Sequence, residues 1–299
     1  MMRVGIDIGG TKTQAVALAD SGEIAASVTL PTMRGEDAVL ATTTSSVVAL
    51  AATAGRELGE FSSIGIGIPG HVDRVGGRVR NAVNLGVRSL ELGPALRERF
   101  GIPVEIDNDV TAAAAGAAHL MSLSGTVAFL NLGTGLAAGI VVDGVAWRGQ
   151  AGAAGEIGHL PVDPHGLECP CGQRGCLETI ASGAGLRRAW PAGGAHPGRG
   201  LVRAMESGDA DARRAFEGLV SGAAGCVRIL ALSIDPQTIV IGGGLSRLGE
   251  PLRQALGATL REWSGTSPFI ADLKLPERVQ FLPENTPAAA VGAALVSRT

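Results

Sequence analysis

Four side chains with affinity for soft cations fall within eighteen residues: His159, Cys169, Cys171 and Cys176. Three thiolates and one imidazole complete a tetrahedral zinc shell with no position left for a substrate, so the metal they imply is structural. The spacing is not that of a redox Cys-x-x-Cys pair. The alternative is a set of reduced, buried thiols. Cys226, the fourth cysteine, sits in an apolar helical stretch and reads as core. Glu156 and His159 form an E-x-x-H pair on one face of a helical turn, and Glu178 stands two residues past Cys176. Carboxylates beside a metal-fixed imidazole suit a ligand with several hydroxyl groups; the alternative is that they are solvated. One E-x-x-H copy falls short of the paired copies a di-iron bundle requires.

Two glycine turns offer phosphate chemistry. In Asp7-Ile8-Gly9-Gly10-Thr11-Lys12-Thr13, glycines let backbone N–H groups converge on an anion. Thr11 and Thr13 add hydroxyls, Lys12 adds a charge, and Asp7 is placed to hold a cation through water. The segment Asn131-Leu132-Gly133-Thr134-Gly135 is a second turn of the same kind. A plain tight hairpin is the alternative for either alone. Neither has Walker A spacing, and Gly9-Gly10 leads into a strand, which a dinucleotide fingerprint does not. A third feature is Asp107-Asn108-Asp109, between a short strand and a helix. Asp and Asn are standard N-caps, yet phosphoryl transfer needs a carboxylate to take the acceptor's proton. Asp109 is the candidate base, and Asn108 both donates and accepts toward a hydroxyl.

The elements that must position these groups are legible. Strands are expected at residues 3–8, 14–19 and 24–30, a helix over 36–58, and a strand at 63–68 closed by Pro69-Gly70. Further strands are expected at 125–132, 136–142 and 145–147, with Asp143-Gly144 as a hairpin turn. Strand, Gly-Thr turn, strand, tight turn, strand thus occurs twice, about 125 residues apart, a weak internal repeat. A helix follows over 216–234 from its apolar spacing, then a strand at 238–241, Gly242-Gly243-Gly244, and a closing helix over 285–297. Residues 191–200 read as a loop.

Composition bounds the function. The 299 residues carry a net charge of −3 and a pI near 6.0, so a nucleic-acid partner is not expected. The only lysines are Lys12 and Lys274, which makes a lysine inside a glycine turn notable. No secretory signal is legible, because Asp7 interrupts the first apolar stretch. No uninterrupted apolar run reaches membrane-span length. The expectation is a soluble, cytoplasmic protein with no membrane partner.

The paired turns resemble the phosphate-binding hairpins of the actin, hexokinase and Hsp70 superfamily. The runs Gly155-Glu156-Ile157-Gly158-His159 and Cys169-Pro170-Cys171-Gly172-Gln173-Arg174-Gly175-Cys176-Leu177-Glu178 are similar to the long signature of the ROK family. With Asp7–Thr13, Asn108-Asp109 and Gly133–Gly135, the resemblance covers nearly the whole chain.

It implies an α/β, two-lobed actin-like (ribonuclease H-like) ATPase fold with paired mixed sheets and flanking helices. The implied lobes are residues 1–112, joined by the closing helix 285–299, and residues 113–284 with a zinc-binding insertion at 156–178. ATP with Mg²⁺ would lie in a cleft between the lobes, with Thr11, Lys12 and Thr134 steadying the phosphates and Gly242, Gly243 and Gly244 approaching the adenosine. Glu156, His159 and Glu178 would hold a sugar, with His159 also ligating zinc; Gly70, Asn84, Asn108 and Asp109 match further sugar-contacting positions. The implied activity is transfer of the ATP γ-phosphoryl group to the 6-hydroxyl of a hexose, glucose first, by a homodimer. The alternatives are a kinase for fructose, mannose or an N-acetylhexosamine, a non-catalytic sugar sensor, and a sugar-responsive repressor. A repressor's N-terminal helix-turn-helix has no room before residue 7. The sequence departs from the family pattern at Leu136-Ala137-Ala138, where methyl groups stand in place of further glycine beside the second turn.

Overall fold

The computed structural model describes residues 2–296. Its first strand, β1 (Met2–Ile8), is buried along most of its length, so both faces of its sheet need covering. It forms an antiparallel meander with β2 (Lys12–Leu18) and β3 (Ile24–Pro31). Helix α1 (Glu36–Ala54) leads to β4 (Phe61–Ile68). A small antiparallel sheet follows, made of β5 (His71–Asp73), β6 (Arg78–Ala82) and β7 (Val87–Leu90). Then come α2 (Leu92–Phe100), β8 (Val104–Asn108) and α3 (Asp109–Leu120). Strands β4 and β8 add in parallel, giving the order β3-β2-β1-β4-β8.

The remainder repeats the plan. Strands β9 (Thr126–Leu132), β10 (Leu136–Val142) and β11 (Val145–Trp147) precede α4 (Gly183–Ala189), α5 (Leu201–Glu206) and α6 (Ala210–Ser233). After β12 (Thr238–Gly242) come α7 (Glu250–Thr266), α8 (Pro268–Asp272), α9 (Leu275–Arg278), β13 (Val279–Phe281) and α10 (Ala288–Val296). The order of the second sheet, β11-β10-β9-β12-β13, matches the first strand for strand. The repeat inferred from two turns therefore extends to two further parallel strands in each sheet. Asp143 and Gly144 both take positive φ (48° and 82°), the conformation a two-residue hairpin needs.

Two compact units emerge. The first comprises Met1–Ser124, Gly139–Gly152 and Asn285–Thr299; the second comprises Gly125–Ala138 and Ala153–Glu284. These divisions differ from the expected 1–112 and 113–284. Residue 112 lies inside α3, whose buried alanine face packs as one piece, so the chain divides after that helix has ended. Residues 139–152 also join the first unit. Residues 297–299 of the expected closing helix lie outside the described residues.

Each unit has its own core. In the first, Ile6, Ile8, Leu50, Ile64, Ile66, Leu92, Leu96 and Ile106 are buried together. In the second, Leu130, Leu132, Leu219, Val227, Leu230, Ile239 and Leu252 are. Helix α10 meets β1, β4 and α3 at bare backbone. A Cβ on Gly5 would stand 1.9 Å from the Ala290 carbonyl oxygen, and one on Gly116 would stand 1.8 Å from that of Ala288. A Cβ on Gly292 would stand 1.7 Å from the Ala112 carbonyl oxygen.

Helix α1 stops at Ala54, short of the expected Leu58, because Gly55 takes a left-handed cap. Helices α1 and α6 are long and apolar enough to cross a membrane by length and composition, a test that a buried core helix passes equally, and neither is an uninterrupted apolar run. Helix α6 presents Leu219, Val220, Ala223, Val227 and Leu230 to the core of its unit, and Cys226 is buried there as expected.

Candidate functional site

The first glycine turn closes through the Gly9 N–H, which donates to the Lys12 carbonyl at 2.9 Å. Gly10, Thr11 and Lys12 are exposed at its tip. Thr13 corrects the sequence reading: it is fully buried, and its hydroxyl shares a 2.8 Å hydrogen bond with that of Thr32. Successive strand side chains point to opposite faces, so Lys12 outside places Thr13 inside. Asp7, at the end of β1, has its carboxyl pushed up to about 7, first by burial, then by the charge of Asp109, with Lys12 opposing. The two carboxylates are thus close enough to repel, and a cation nearby would relieve that repulsion.

Asn84 lies beside this turn. A Cβ on Gly10 would touch its Cβ at 3.6 Å, and the Asn84 side chain is exposed on the short turn Val83–Leu85. Gly70 has a structural reason of its own: with φ at 101°, an added Cβ would stand 2.7 Å from the Arg80 carbonyl oxygen.

Asn108 caps α3. Its Oδ1 accepts the N–H groups of Val110 at 2.9 Å and Thr111 at 3.2 Å. The expected dual role toward a hydroxyl is corrected accordingly: the acceptor is committed to the helix, and the amide N–H₂ remains as donor. Asp109 occupies the first position of α3, where the helix dipole favours a carboxylate. Sequence reasoning gave no role to Asp107 or Arg148, which form an ion pair behind this segment, with Asp107 buried and Arg148 partly exposed.

In the second unit, the Gly133–Gly135 turn is braced from behind. The first residues of α4 donate to it, Gly183 N–H to the Gly133 carbonyl at 2.8 Å and Ala184 N–H to the Thr134 carbonyl at 3.1 Å. Glu178 Oε2 accepts the Leu136 N–H at 2.9 Å, and a Cβ on Gly135 would reach the same oxygen at 2.7 Å. Thr134 stands exposed at the tip. The methyl group of Ala138 points into the core, so of the residues that depart from the family pattern only Ala137 adds a partly exposed methyl beside the turn.

The Gly242–Gly244 run divides. Cβ atoms on Gly242 and Gly243 would strike the Phe129 ring at 2.4 Å and Asn131 Oδ1 at 2.5 Å. These two glycines are needed by packing around β9. Gly244 alone has no atom within 4 Å of an added Cβ, and open space in front of it.

The run Gly155–His159 lies along β10. The Gly155 carbonyl accepts the Ala138 N–H at 2.7 Å, and Cβ atoms on Gly155 and Gly158 would stand 1.8 and 2.0 Å from the carbonyl oxygens of Ala138 and Leu136. Glu156 and His159 are carried by the 3₁₀ turn Ile157–His159, in which residues three apart share a face.

The predicted metal ligands do come together. One ligand atom from each of His159, Cys169, Cys171 and Cys176 lies within 4.8 Å of the others. Cys169 Sγ is 3.8 Å from His159 Nδ1, and Cys171 Sγ is 3.7 Å from Cys176 Sγ. A tetrahedral ion with Zn–S near 2.3 Å has edges of about 3.8 Å, so the donor set and its spacing fit zinc. Gln173, by its backbone and then its side chain, holds the Cys171 thiol down at about 6, the thiolate form a metal binds. With Nδ1 turned to the thiols, Nε2 of His159 is left to donate elsewhere.

A family model described as "ROK family" matches residues 3–298. A glucokinase of Halalkalibacterium halodurans is 33% identical over 270 residues, covering 83% of this chain and 82% of that protein. An N-acetyl-D-glucosamine kinase of Aliivibrio salmonicida is 33% identical over 259 residues, 82% and 85% of the respective chains. Among solved structures, a ROK family glucokinase from Streptomyces griseus in complex with glucose and AMPPNP superposes with a TM-score of 0.79 at 29% identity, covering 100% of this chain and 99% of that one.

Proposed function

This chain belongs to the ROK family and has the actin-like ATPase fold of its relatives, and on that premise we propose that it is a hexose kinase, transferring the γ-phosphoryl group of ATP to the 6-hydroxyl of a hexose, with glucose as the first substrate. The observation that carries the reading is the His159–Cys169–Cys171–Cys176 tetrahedron, followed two residues later by Glu178, whose carboxylate holds the second glycine turn.

Asp109 takes the proton of the acceptor hydroxyl, and the Asn108 amide donates to the sugar. Thr11, Lys12 and Thr134, with the N–H groups of the two glycine turns, steady the phosphates. His159 Nε2, Glu156 and Glu178 bind sugar hydroxyls, and Asn84 adds a contact beside the first turn. Asp7 would hold Mg²⁺, which would supply positive charge to the phosphates. His159, Cys169, Cys171 and Cys176 would hold zinc, which would supply no chemistry and would brace the His159 ring and the segment carrying Glu178. A requirement for ATP supports a cytoplasmic location.

A second reading, phosphorylation of an N-acetylhexosamine, is favoured by the N-acetyl-D-glucosamine kinase relatives. A coupled kinase assay over glucose, mannose, fructose and N-acetylhexosamines, with ATP and polyphosphate as donors, separates the two. Highest kcat/KM for glucose with ATP is the expected result. Preference for an N-acetylhexosamine transfers the proposal to the second reading, and no transfer to any sugar leaves a sensor.

A further inference from the structure

Asp107 is a buried acidic residue without an evident task. It is the penultimate residue of β8, one before Asn108 and two before Asp109, paired in register with Gly67, and its side chain is only 4% exposed. Its Oδ1 accepts the Asn108 N–H at 2.9 Å. Its Oδ2 accepts two donors from one guanidinium, Arg148 Nε at 2.9 Å and Nη2 at 2.6 Å. The third nitrogen of Arg148 donates to the Ala146 carbonyl at 2.9 Å, so the fork is anchored on both sides. Arg74 Nε approaches the same carboxylate oxygen at 3.6 Å, and Arg74 also faces Glu105 at 3.9 Å.

A buried ion pair is a poor stabiliser, because desolvating two charges offsets most of their attraction, and apolar residues of the same volume do as well. What such a pair supplies is a fixed direction. Here the direction is passed to the backbone. One oxygen of Asp107 is held by Arg148 and the other holds the N–H of Asn108. Asn108 in turn caps α3, whose first residue is Asp109. Arg148 arrives from β11 within the same compact unit, on a segment remote in sequence from β8.

The geometry points to Arg148 as a positioning residue that, through Asp107, sets the end of β8 and hence the aim of the Asp109 carboxylate and the Asn108 amide. Its role runs through Asp107 and needs no contact with substrate or cofactor. The inference rests on Asp109 as base, and its predicted signature is a loss of turnover without a matching loss of substrate affinity.

The test uses the full-length protein. Arg148→Met leaves the buried Asp107 without its two-pronged partner and facing only the more distant Arg74 Nε, at 3.6 Å, so it lowers both stability and turnover. Asp107→Asn combined with Arg148→Met removes both charges and separates the two effects. The double variant is expected to regain most of the wild-type Tm and to keep KM for glucose and ATP within about twofold, while kcat falls by on the order of 100-fold. Its Asn108 amide should exchange with solvent faster than in the wild type. Arg148→Lys, which keeps the charge but loses the fork, should show the same pattern at an intermediate level, and it carries the comparison if Arg148→Met does not fold. Wild-type kcat in the double variant, or an unchanged Asn108 exchange rate, overturns the inference and leaves the pair a stabiliser only. A wild-type enzyme that phosphorylates no hexose overturns the reading of Asp109 instead, while amide exchange still decides whether Arg148 holds the strand end.

Discussion

The carboxylate of Glu178 accepts the backbone N–H of Leu136 at 2.9 Å, so the segment that follows the thiolate cluster reaches the second glycine turn directly. The same carboxylate is assigned to a sugar hydroxyl, and the two tasks are separable by mutation. Glu178→Gln keeps an acceptor for Leu136 and loses the charge; Glu178→Ala loses both. Steady-state kinetics should give a raised hexose KM for both variants. Only the alanine variant should also raise the ATP KM, by about tenfold, the cost of one unsatisfied buried donor. Equal ATP KM values in the two variants would remove Glu178 from the turn.

Zinc should be present at one ion per chain and should serve as a brace. Cys176 is fully buried and Cys169 nearly so, and metal binding of this kind adds directly to folding free energy. Cys176→Ser, or prolonged chelation, is expected to release the metal and lower Tm. The hexose KM should rise through Glu178 and His159. Elemental analysis with calorimetry checks this, and a metal-free protein of unchanged Tm would contradict it.

Glycines in this chain serve two opposite purposes, and substitution distinguishes them. Gly292→Ala drives a methyl into the Ala112 carbonyl and should cost about 1–3 kcal/mol, or more if α10 cannot shift. Gly265→Ala, near the end of α7 with nothing within 4 Å, should add roughly 0.5 kcal/mol by restricting the unfolded chain. Denaturant titration of both variants reads the contrast in sign.

That contrast also marks what the sequence concealed. The two Gly-Thr turns and the thiolate cluster were legible because each is local: a few residues of the right type at the right spacing. The match of the two sheets was half legible, through the turns alone. The meeting of Gly116 and Gly292 on α3 and α10 is long-range, and nothing in either stretch advertises its partner. Thr13 and Asn108 were misread for a shared reason. A polar side chain near a site reads as a ligand contact, but strand alternation turned Thr13 inward and helix capping took the Asn108 oxygen. Asp107 and Arg148 were given no role because an ion pair between distant residues has no spacing to read.

The repulsion between Asp7 and Asp109 predicts a pH effect. The Asp7 carboxyl lies at about 7 against its ordinary 3.8, raised by burial and then by Asp109. An acid whose folded pKa is raised adds no cost below 3.8, a growing cost from there upward, and its full cost above about 7. Asp7→Asn removes that cost. The ligand-free variant should therefore melt higher than the wild type at pH 8, with the gap closing toward pH 4. Thermal unfolding at both pH values tests it; a gap independent of pH would show that Asp7 ionises normally.

At the N-terminus of α6, Asp209 Oδ1 accepts the N–H groups of Asp211 and Ala212 and Oδ2 accepts the Trp190 indole N–H, and these bonds lower its pKa. Stability from a lowered carboxyl is complete above its ordinary 3.8 and is lost as pH falls through the lower folded value. Asp209→Ala should lower Tm at neutral pH and flatten the acid limb of the Tm profile. An unchanged acid limb would remove the cap from that role.

Everything assigned to the first unit depends on Asp109 taking a proton from a sugar hydroxyl. The direct measurement is kcat of Asp109→Ala for glucose phosphorylation beside its zinc content and Tm. The account predicts turnover lost by at least about 1000-fold, with zinc and folding unchanged. An Asp109→Ala protein that phosphorylates glucose at the wild-type rate would contradict it.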